Sequence, residues 1–173
     1  MKPNLEKIKI VILDVDGTMT DGKISYDNNR IETKSFDVKD GMAIAQAIKY
    51  GIKVAIITGR TSKIVEYRAS ELGITDIYQG VENKIATLDG LLEKYGYNYE
   101  DVAYMGDDIN DIPAMIRASY VGITADAVSD VEEFAHFKSR YNGGYGAVRE
   151  FMETILKANG IWNKIIENYK SKK

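Results

Sequence analysis

One nearly continuous apolar run, residues 8–13 (Ile-Lys-Ile-Val-Ile-Leu), ends directly at two acidic residues, Asp14 and Asp16. β-Branched residues in such a run indicate a strand that is buried on both faces, as in a parallel sheet. Ligands of parallel sheets bind at the carboxyl ends of the strands. Two carboxylates at that edge repel each other, so they favour a hard divalent cation with oxygen ligands, for which Mg²⁺ is the usual choice. The run therefore predicts an α/β fold with a magnesium site at the sheet edge.

Three further segments place polar side chains at a strand end or at a helix start. The apolar residues 54–57 end at Thr58, and Lys84 opens an amphipathic segment. The apolar residues 102–105 are followed, after Gly106, by Asp107. Further polar residues beyond this last strand are Asp108, Asn110 and Asp111. Because ligands of parallel sheets bind where strands end, these side chains are candidates for the same site as Asp14.

Strands alternate with helices along the chain, which predicts parallel βαβ units and a three-layer, Rossmann-like sheet with helices on both faces. The predicted strands are 8–13, 53–57, 76–78, 102–105 and 120–123. The predicted helices are 40–50 with Asp40 as its N-cap, 61–72, 82–95, 113–117 and one long helix over 147–169. Residues 22–36 alternate around Asn28 and Asn29, which tolerate the positive φ of a tight turn, so we expect a small β-hairpin flap there.

Composition excludes several other classes of function. The formal net charge of −3 over 173 residues argues against nucleic acid as the main partner. The absence of cysteine excludes thiolate catalysis and cysteine-ligated zinc, and the single histidine excludes a multi-histidine metal site. No apolar run has membrane-spanning length. We expect a cytoplasmic protein with one domain over residues 1–173, a flap at about 22–36 and a helical tail at about 146–173.

The acid pair suits phosphoryl transfer. A carboxylate that attacks a phosphate ester forms an aspartyl-phosphate, and Asp14 is the candidate nucleophile. Asp16 would protonate the leaving alkoxide and later deprotonate the water that cleaves the intermediate. Asp14, the backbone carbonyl of Asp16, and Asp107 would hold the Mg²⁺ ion. The alternative for the pair alone is a helix cap followed by a solvated turn acid.

The remaining candidates would bind the transferring phosphoryl group. Thr58 offers a hydroxyl, and the backbone N–H groups beside it, at Gly59, suit a phosphate oxygen. Thr58 could also cap the helix that follows. Lys84 would supply a point charge, although most lysines early in an amphipathic helix are solvated. The residues predicted to lie behind the metal ligands are Asp108, Asn110 and Asp111, with N-capping as the alternative for the first two.

The chain resembles the haloacid-dehalogenase-like hydrolase superfamily, which has four motifs in a fixed order. The matching features here are the acid pair, the Thr58 hydroxyl, Lys84 and the second acid cluster that begins at Asp107. Members of the superfamily usually select substrates with a cap domain, but residues 20–36 and 59–84 leave no room for one. Over about residues 9–160 the chain resembles the capless family of 3-deoxy-D-manno-octulosonate 8-phosphate (KDO 8-phosphate) phosphatases. The matching stretches are 14–17 (Asp-Val-Asp-Gly), 20–22 (Thr-Asp-Gly), 36–41 (Phe-Asp-Val-Lys-Asp-Gly), 57–60 (Ile-Thr-Gly-Arg), 78–80 (Tyr-Gln-Gly), 83–84 (Asn-Lys), 106–108 (Gly-Asp-Asp) and 143–150 (Gly-Gly-Tyr-Gly-Ala-Val-Arg-Glu).

This resemblance implies a Mg²⁺-dependent phosphatase that converts KDO 8-phosphate to KDO and phosphate in lipopolysaccharide biosynthesis. It also implies a homotetramer in which neighbouring subunits cover each other's sites, and a mobile tail hinge at 143–146. The hairpin, with Ile24, Tyr26, Ile31 and Thr33 on one apolar face, would pack against neighbours. The residues it implies for substrate binding, besides Gly59 and Lys84, are Asp37, Val38, Lys39, Asp40, Gly41, Arg60 and Arg68.

The choice of sugar stays open within this resemblance. Arg60 and Arg68, placed on one predicted helix two turns apart, suit a sugar-acid carboxylate because guanidinium groups bind carboxylates through paired hydrogen bonds. Ala45 and Tyr145 replace basic residues of many relatives, which removes positive charge. The alternatives are a nonulosonate 9-phosphate phosphatase and a non-catalytic partner domain of a nucleotide-sugar synthetase. An intact set of candidate catalytic residues argues against the second alternative.

Overall fold

A six-stranded parallel sheet forms the centre of the molecule. The structure, a computed structural model, describes residues 3–171, so the predicted domain limits at 1–2 and 172–173 lie outside the described residues. The sheet strands are β1 (Ile10–Leu13), β4 (Lys53–Ile57), β5 (Asp76–Tyr78), β6 (Val102–Gly106), β7 (Tyr120–Ile123) and β8 (Phe137–Lys138). Their order is β5-β4-β1-β6-β7-β8, which places β1 between β4 and β6.

Helices cover both faces of the sheet, because the buried strands alternate their side chains between two cores. Val11 and Leu13 pack into one core, and Ile10 and Ile12 pack into the other. The helices are α1 (Val38–Lys49), α2 (Lys63–Leu72), α3 (Lys84–Tyr95), α4 (Ile112–Met115), α5 (Ala147–Ala158) and α6 (Ile161–Ser171). Helices α1, α2, α5 and α6 contribute to the first core, and α3 and α4 to the second. The predicted three-layer α/β fold is therefore confirmed.

Two predicted helix caps are wrong. Asp37, not Asp40, is the N-cap of α1, and its carboxylate accepts hydrogen bonds from the N–H groups of Lys39 and Asp40. Helix α2 begins at Lys63 after the N-cap Ser62, so the alternative role of Thr58 as the cap of this helix is also wrong. At both helix starts, several residues with capping side chains are close together in the sequence. The local sequence therefore does not show which of them is the N-cap.

The long terminal helix predicted for the tail is interrupted. Helix α5 ends at Ala158 and α6 begins at Ile161, because Gly160 adopts a φ of +66° that a continuing helix does not allow. The short strand β8 was not predicted, since two residues are too few to show an alternating pattern. Among residues 3–171, no helix combines the length and hydrophobicity that a membrane crossing requires. The cytoplasmic location stays a prediction.

The hairpin flap is confirmed, but its apolar face is not. Strands β2 (Ser25–Tyr26) and β3 (Glu32–Thr33) pair antiparallel, with Tyr26 opposite Glu32 and Ser25 opposite Thr33. Opposite residues share a face, so Tyr26 lies with Glu32, while Ile31 and Thr33 lie on the other face. The residue with positive φ in the turn is Arg30, at +62°, instead of either asparagine. This is the three-residue hairpin loop in which the last residue is left-handed.

Candidate active site

Asp14 follows the central strand β1 and pairs with a buried lysine. The Asp14 backbone N–H donates to the carbonyl of Met105 on β6, which fixes the backbone at the strand end. Lys84, the first residue of α3, donates from Nζ to Asp14 Oδ1 at 2.8 Å. The Lys84 side chain is only 2% exposed. Lys84 therefore forms a direct ion pair with Asp14, and the alternative of a solvated Lys84 is wrong.

Asp111 uses both carboxylate oxygens to organise the surrounding groups. Its Oδ1 accepts hydrogen bonds from Lys84 Nζ at 2.6 Å and from the Tyr104 hydroxyl at 2.6 Å. Its Oδ2 accepts from the backbone N–H groups of Asp107 and Asp108. Gly106 makes room for this carboxylate, because a Cβ there would lie within 2.9 Å of Asp111 Cβ. Asp111 thus holds Lys84 and the loop that carries Asp107, while its own oxygens are occupied.

Asp107 lies against the loop that follows the acid pair. Its Oδ1 accepts a hydrogen bond from the Thr18 hydroxyl at 2.9 Å. Gly17, with a φ of +92°, packs directly against the Asp107 carboxylate, and a Cβ at this position would lie 2.5 Å from Asp107 Cγ. Thr18 and the bare α-carbon of Gly17 thus fix the orientation of Asp107.

These acids form a cluster whose charge suits a divalent cation. One carboxylate oxygen from each of Asp14, Asp107 and Asp111 lies within 4.8 Å of the others. Three carboxylates and the Lys84 ammonium leave two negative charges in a buried site. Burial, followed by the charge of Asp111, raises the pKa of Asp14 to about 6. Burial, aided by the neighbouring acids, raises the pKa of Asp107 to about 7.

The donor set therefore fits a hard divalent cation such as Mg²⁺, which Asp14 and Asp107 could hold. Asp111 also lies in the cluster, but hydrogen bonds already occupy its oxygens, which favours the position behind the ligands that the sequence indicated. Carboxylate and carbonyl oxygens are the ligands that hard cations prefer. The role of the Asp16 backbone carbonyl as the third ligand stays a prediction.

A cavity of about 170 Å³ opens beside Asp14. Its lining residues are Asp14, Asp16, Thr58, Gly59, Arg60, Asp108 and Asn110. Thr58 is 2% exposed and hydrogen-bonds through its backbone to Tyr78 and Val81, which fixes its position at the end of β4. Asp108 caps the N–H of Ile109, as the alternative interpretation predicted, and also lines the cavity. The structure thus brings residues of the first, second and fourth motifs to one opening.

The hairpin contributes a charged residue that sequence reasoning missed. Lys34 follows β3, its side chain is 1% exposed, and its Nζ pairs with the carboxylates of Asp16 and Glu32. Arg60 joins the same group, with Nη2 at 2.8 Å from Glu32 Oε1 and Nε at 3.6 Å from Asp16 Oδ2. The Tyr26 side chain also hydrogen-bonds to Arg60. The flap is therefore connected electrostatically to Asp16.

Part of the predicted substrate-binding set lies elsewhere. Asp37, Val38 and Lys39 line a separate cavity of about 410 Å³, which they share with Tyr145. Asp40 is buried, and its Oδ1 accepts a hydrogen bond from the Arg149 N–H at the start of α5. Burial raises the pKa of Asp40 to about 7. Within one chain, Asp40 therefore caps α5 instead of facing the catalytic cavity.

The two predicted substrate arginines do not share a helix. Arg60 precedes α2, whereas Arg68 lies within it, so the predicted spacing of two helical turns is wrong. The Arg68 guanidinium pairs with Glu71 at 3.2 Å and lies 5.9 Å from the Phe36 ring. It also occupies the space beside Gly41, where a Cβ would come within 3.2 Å of Arg68 Cζ. Arg68 therefore packs between α1 and α2 and does not line the cavity that Arg60 lines.

Comparison with known proteins identifies consistent relatives. A family model described as haloacid dehalogenase-like hydrolase matches residues 31–119. The 3-deoxy-D-manno-octulosonate 8-phosphate phosphatase of Escherichia coli (strain K12) is 46% identical over 155 residues, which are 90% of this chain and 82% of that protein.

Solved structures agree with the sequence relatives. The phosphatase of the same name from Yersinia pestis superimposes with a TM-score of 0.89 at 42% identity, over 91% of this chain and 85% of that one. The one from Moraxella catarrhalis, in complex with a magnesium ion, a phosphate ion and KDO, gives a TM-score of 0.93 at 38% identity, over 96% and 95%.

Proposed function

The chain belongs to the haloacid dehalogenase-like hydrolase family and is a phosphoric monoester hydrolase, and we propose that it hydrolyses KDO 8-phosphate to KDO and phosphate. The observation that carries the proposal is the Asp14–Lys84–Asp111 arrangement beside a phosphate-sized cavity. The names of the relatives supply the sugar. The reaction would then serve lipopolysaccharide biosynthesis.

We assign the nucleophile to Asp14. Its Oδ1 accepts a hydrogen bond from Lys84, which orients the carboxylate to attack the phosphorus atom and form an aspartyl-phosphate. Asp16 gives its proton to the leaving sugar oxygen as the ester bond breaks. Asp16 then takes a proton from water, whose oxygen attacks the phosphorus atom and releases phosphate and free Asp14. When bound, Mg²⁺ supplies positive charge that offsets repulsion between the carboxylate and the phosphate.

We assign phosphate binding to the cavity wall. The Thr58 hydroxyl and the Gly59 N–H would donate to phosphate oxygens, because both residues line the cavity beside Asp14. Lys84 would orient Asp14 and reduce the negative charge of the cluster. Asp107 would hold the metal, with Asp108, Asn110 and Asp111 behind it.

A panel of sugar phosphates assayed with Mg²⁺ tests the proposed substrate. We expect the highest kcat/KM for KDO 8-phosphate, with lower values for nonulosonate 9-phosphates and for hexose 6-phosphates that lack a carboxylate. A clear preference for a nonulosonate ester would contradict the assigned sugar and leave the phosphatase class unchanged. Failure to hydrolyse any ester with Mg²⁺ would contradict the proposal as a whole.

Removing the metal is expected to abolish turnover and to change stability in a pH-dependent way. The folded pKa values of Asp14 and Asp107, about 6 and about 7, exceed the ordinary value of 3.8. The stability that these two acids contribute to the folded state is fully present below about pH 4. It is lost as the pH rises through about 6 to 7, because both carboxyl groups then ionise while they are buried. Thermal unfolding in EDTA and in Mg²⁺ should show a larger Mg²⁺ stabilisation at pH 8 than at pH 5. Equal Mg²⁺ shifts at both pH values, or activity that survives chelation, would contradict the metal site.

Arg60 is expected to recognise the substrate carboxylate. A lost charge-assisted contact costs about 1.5–3 kcal/mol, or roughly tenfold to a hundredfold in kcat/KM. Arg60→Ala should therefore reduce kcat/KM for KDO 8-phosphate by that factor, with a much smaller loss for p-nitrophenyl phosphate, which has no carboxylate. Arg117→Ala, at an exposed arginine, should leave both values unchanged. Equal losses on both esters would place Arg60 at the phosphate.

We also propose that a second copy of the chain completes each site. Within one chain the expected substrate residues divide between two cavities, with Arg60 in one and Asp37, Val38 and Lys39 in the other. The flap exposes apolar side chains on both faces, with Tyr26 62% and Ile31 59% exposed. A hairpin this small is marginal alone, so packing against neighbours in a homotetramer would stabilise it.

Ile31→Asp is expected to weaken this assembly. Ile31 lies on the flap face away from Tyr26 and Arg60, so the substitution leaves the ion pairs around Asp16 in place. Sedimentation at micromolar concentration should report a tetramer for the wild type and smaller species for the variant, with reduced activity on KDO 8-phosphate. Asn163→Asp adds the same charge on exposed α6 and serves as the control. A fully active monomeric wild type would refute the shared site.

A further inference from the structure

The loop between β8 and α5 contacts the backbone of the catalytic loop, and this contact supplies no group to the proposed reaction. The catalytic loop is defined here as residues 17–22, directly after the acid pair. Gly143 packs so closely on it that a Cβ would overlap the Gly17 carbonyl oxygen and lie 2.7 Å from the Thr20 carbonyl oxygen. Real Cβ atoms essentially never come within 3.0 Å of such an atom. Only glycine fits at position 143.

Hydrogen bonds fix this contact on both sides. The Gly143 N–H donates to Asp126 Oδ1 at 3.0 Å, which fixes the loop between β8 and α5 to the segment after β7. The Gly144 N–H donates to the Thr18 carbonyl at 3.2 Å, which ties it to the catalytic loop. Gly144 itself has a φ of +72°, and a Cβ there would lie 2.7 Å from the Asp21 nitrogen. The two glycines therefore form a flat surface that supports the catalytic loop.

The catalytic loop also contacts Asp107. The α-carbon of Gly17 lies on the Asp107 carboxylate, and the Thr18 hydroxyl donates to Asp107 Oδ1. The catalytic loop thus contacts both the Gly143–Gly144 pair and Asp107. A displacement of Gly17 would move Asp107 and also the backbone carbonyl of Asp16, its neighbour in the chain.

We propose that Gly143 and Gly144 act as a support that positions the metal ligands, with Asp126 as the anchor of that support. The inference rests on the proposed function, because it takes Asp107 and the Asp16 carbonyl as the Mg²⁺ ligands. None of these three residues lines the cavity beside Asp14, so their role toward the metal ligands is one of positioning.

The inference predicts a specific loss of metal affinity. A methyl group at position 143 must push the catalytic loop away by roughly an ångström, a misplacement that costs on the order of 10²-fold in rate. Residues that orient metal ligands from behind are worth about 10–100-fold in metal affinity. Gly143→Ala should therefore bind Mg²⁺ about 10–100-fold more weakly in calorimetric titration. High Mg²⁺ concentrations should restore part of its activity.

Matched variants separate positioning from a general folding defect. Gly90→Ala makes the same change inside α3, where a Cβ meets no atom within 4 Å, and should retain wild-type Mg²⁺ affinity. Asp126→Ala removes the anchor without adding bulk and should weaken Mg²⁺ binding, whereas Asp126→Asn keeps an acceptor oxygen and should restore it. If Gly143→Ala fails to fold, the Asp126 pair decides the outcome.

The outcomes distinguish this inference from the proposed function. Wild-type protein that does not bind Mg²⁺ would overturn the metal site itself. If the wild type binds Mg²⁺ and either folded Gly143→Ala or Asp126→Ala binds it with unchanged affinity, the positioning role is overturned and the metal site stands. A loss of affinity in both variants, with unchanged circular dichroism and unchanged melting temperature in EDTA, would establish it.

Discussion

Replacing Asp14 by asparagine is expected to abolish turnover while the protein stays folded. The neutral amide cannot attack phosphorus, and loss of a catalytic nucleophile costs on the order of 10⁴-fold or more in kcat. Asparagine fills the same volume, and removing one acid from the cluster also reduces its repulsion with Asp107 and Asp111. Steady-state assays of the variant with p-nitrophenyl phosphate should therefore show no activity, and its circular dichroism spectrum should match that of the wild type.

Acid-quenched intact mass spectrometry gives the second readout. Wild-type protein mixed with substrate should carry one phosphoryl group, and Asp14→Asn should carry none. Asp130→Asn, at an exposed acid, should behave as the wild type. Activity of Asp14→Asn that persists after deamidation and contamination are ruled out would contradict the nucleophile assignment. Phosphoryl transfer to the Asp14→Asn variant would place the nucleophile on another residue.

Sequence predicted the groups that follow the core strands, because the signal for each is local. A buried strand fixes the direction of the chain, and the residue after it must lie at the carboxyl edge of the sheet. Asp14, Thr58 and Asp107 follow β1, β4 and β6 in this way. Lys84 was harder to predict, because only its place in the ordered set distinguished it from a solvated lysine.

The residues that sequence reasoning misplaced depend on contacts between distant parts of the chain. Asp40 caps α5, which lies more than a hundred residues away, and no local pattern distinguishes this from a cap of its own helix. Lys34 becomes buried only because the hairpin folds back over Asp16. In the hairpin, Ile31 lies opposite Asp27, whose backbone N–H donates to the Ile31 carbonyl. The register is therefore set by a three-residue loop and not by a two-residue turn at the asparagine pair.

Lys84→Met is expected to lower both stability and activity strongly. The lysine is the counter-charge of Asp14 and Asp111, and removing one partner of a buried ion pair costs about 3–5 kcal/mol. Loss of a preorganised positive group at a phosphoryl-transfer site should reduce kcat by about 10²–10³-fold. Urea unfolding and steady-state kinetics measure the two effects. Lys164→Met, at an exposed lysine of α6, should change neither.

The pH dependence of this variant identifies the cause of its instability. Lys84 lowers the pKa of Asp14, which burial raises, so its removal should raise that pKa further. Buried acids with raised pKa values destabilise the fold as pH increases, so the deficit of Lys84→Met should be larger at pH 8 than at pH 5. Adding Asp111→Asn to this variant removes one uncompensated negative charge, and the asparagine can still accept a hydrogen bond from the Asp107 N–H. We therefore expect the double variant to recover stability without recovering turnover. A deficit that is independent of pH and is not recovered by Asp111→Asn would mean that Lys84 stabilises the site by packing alone.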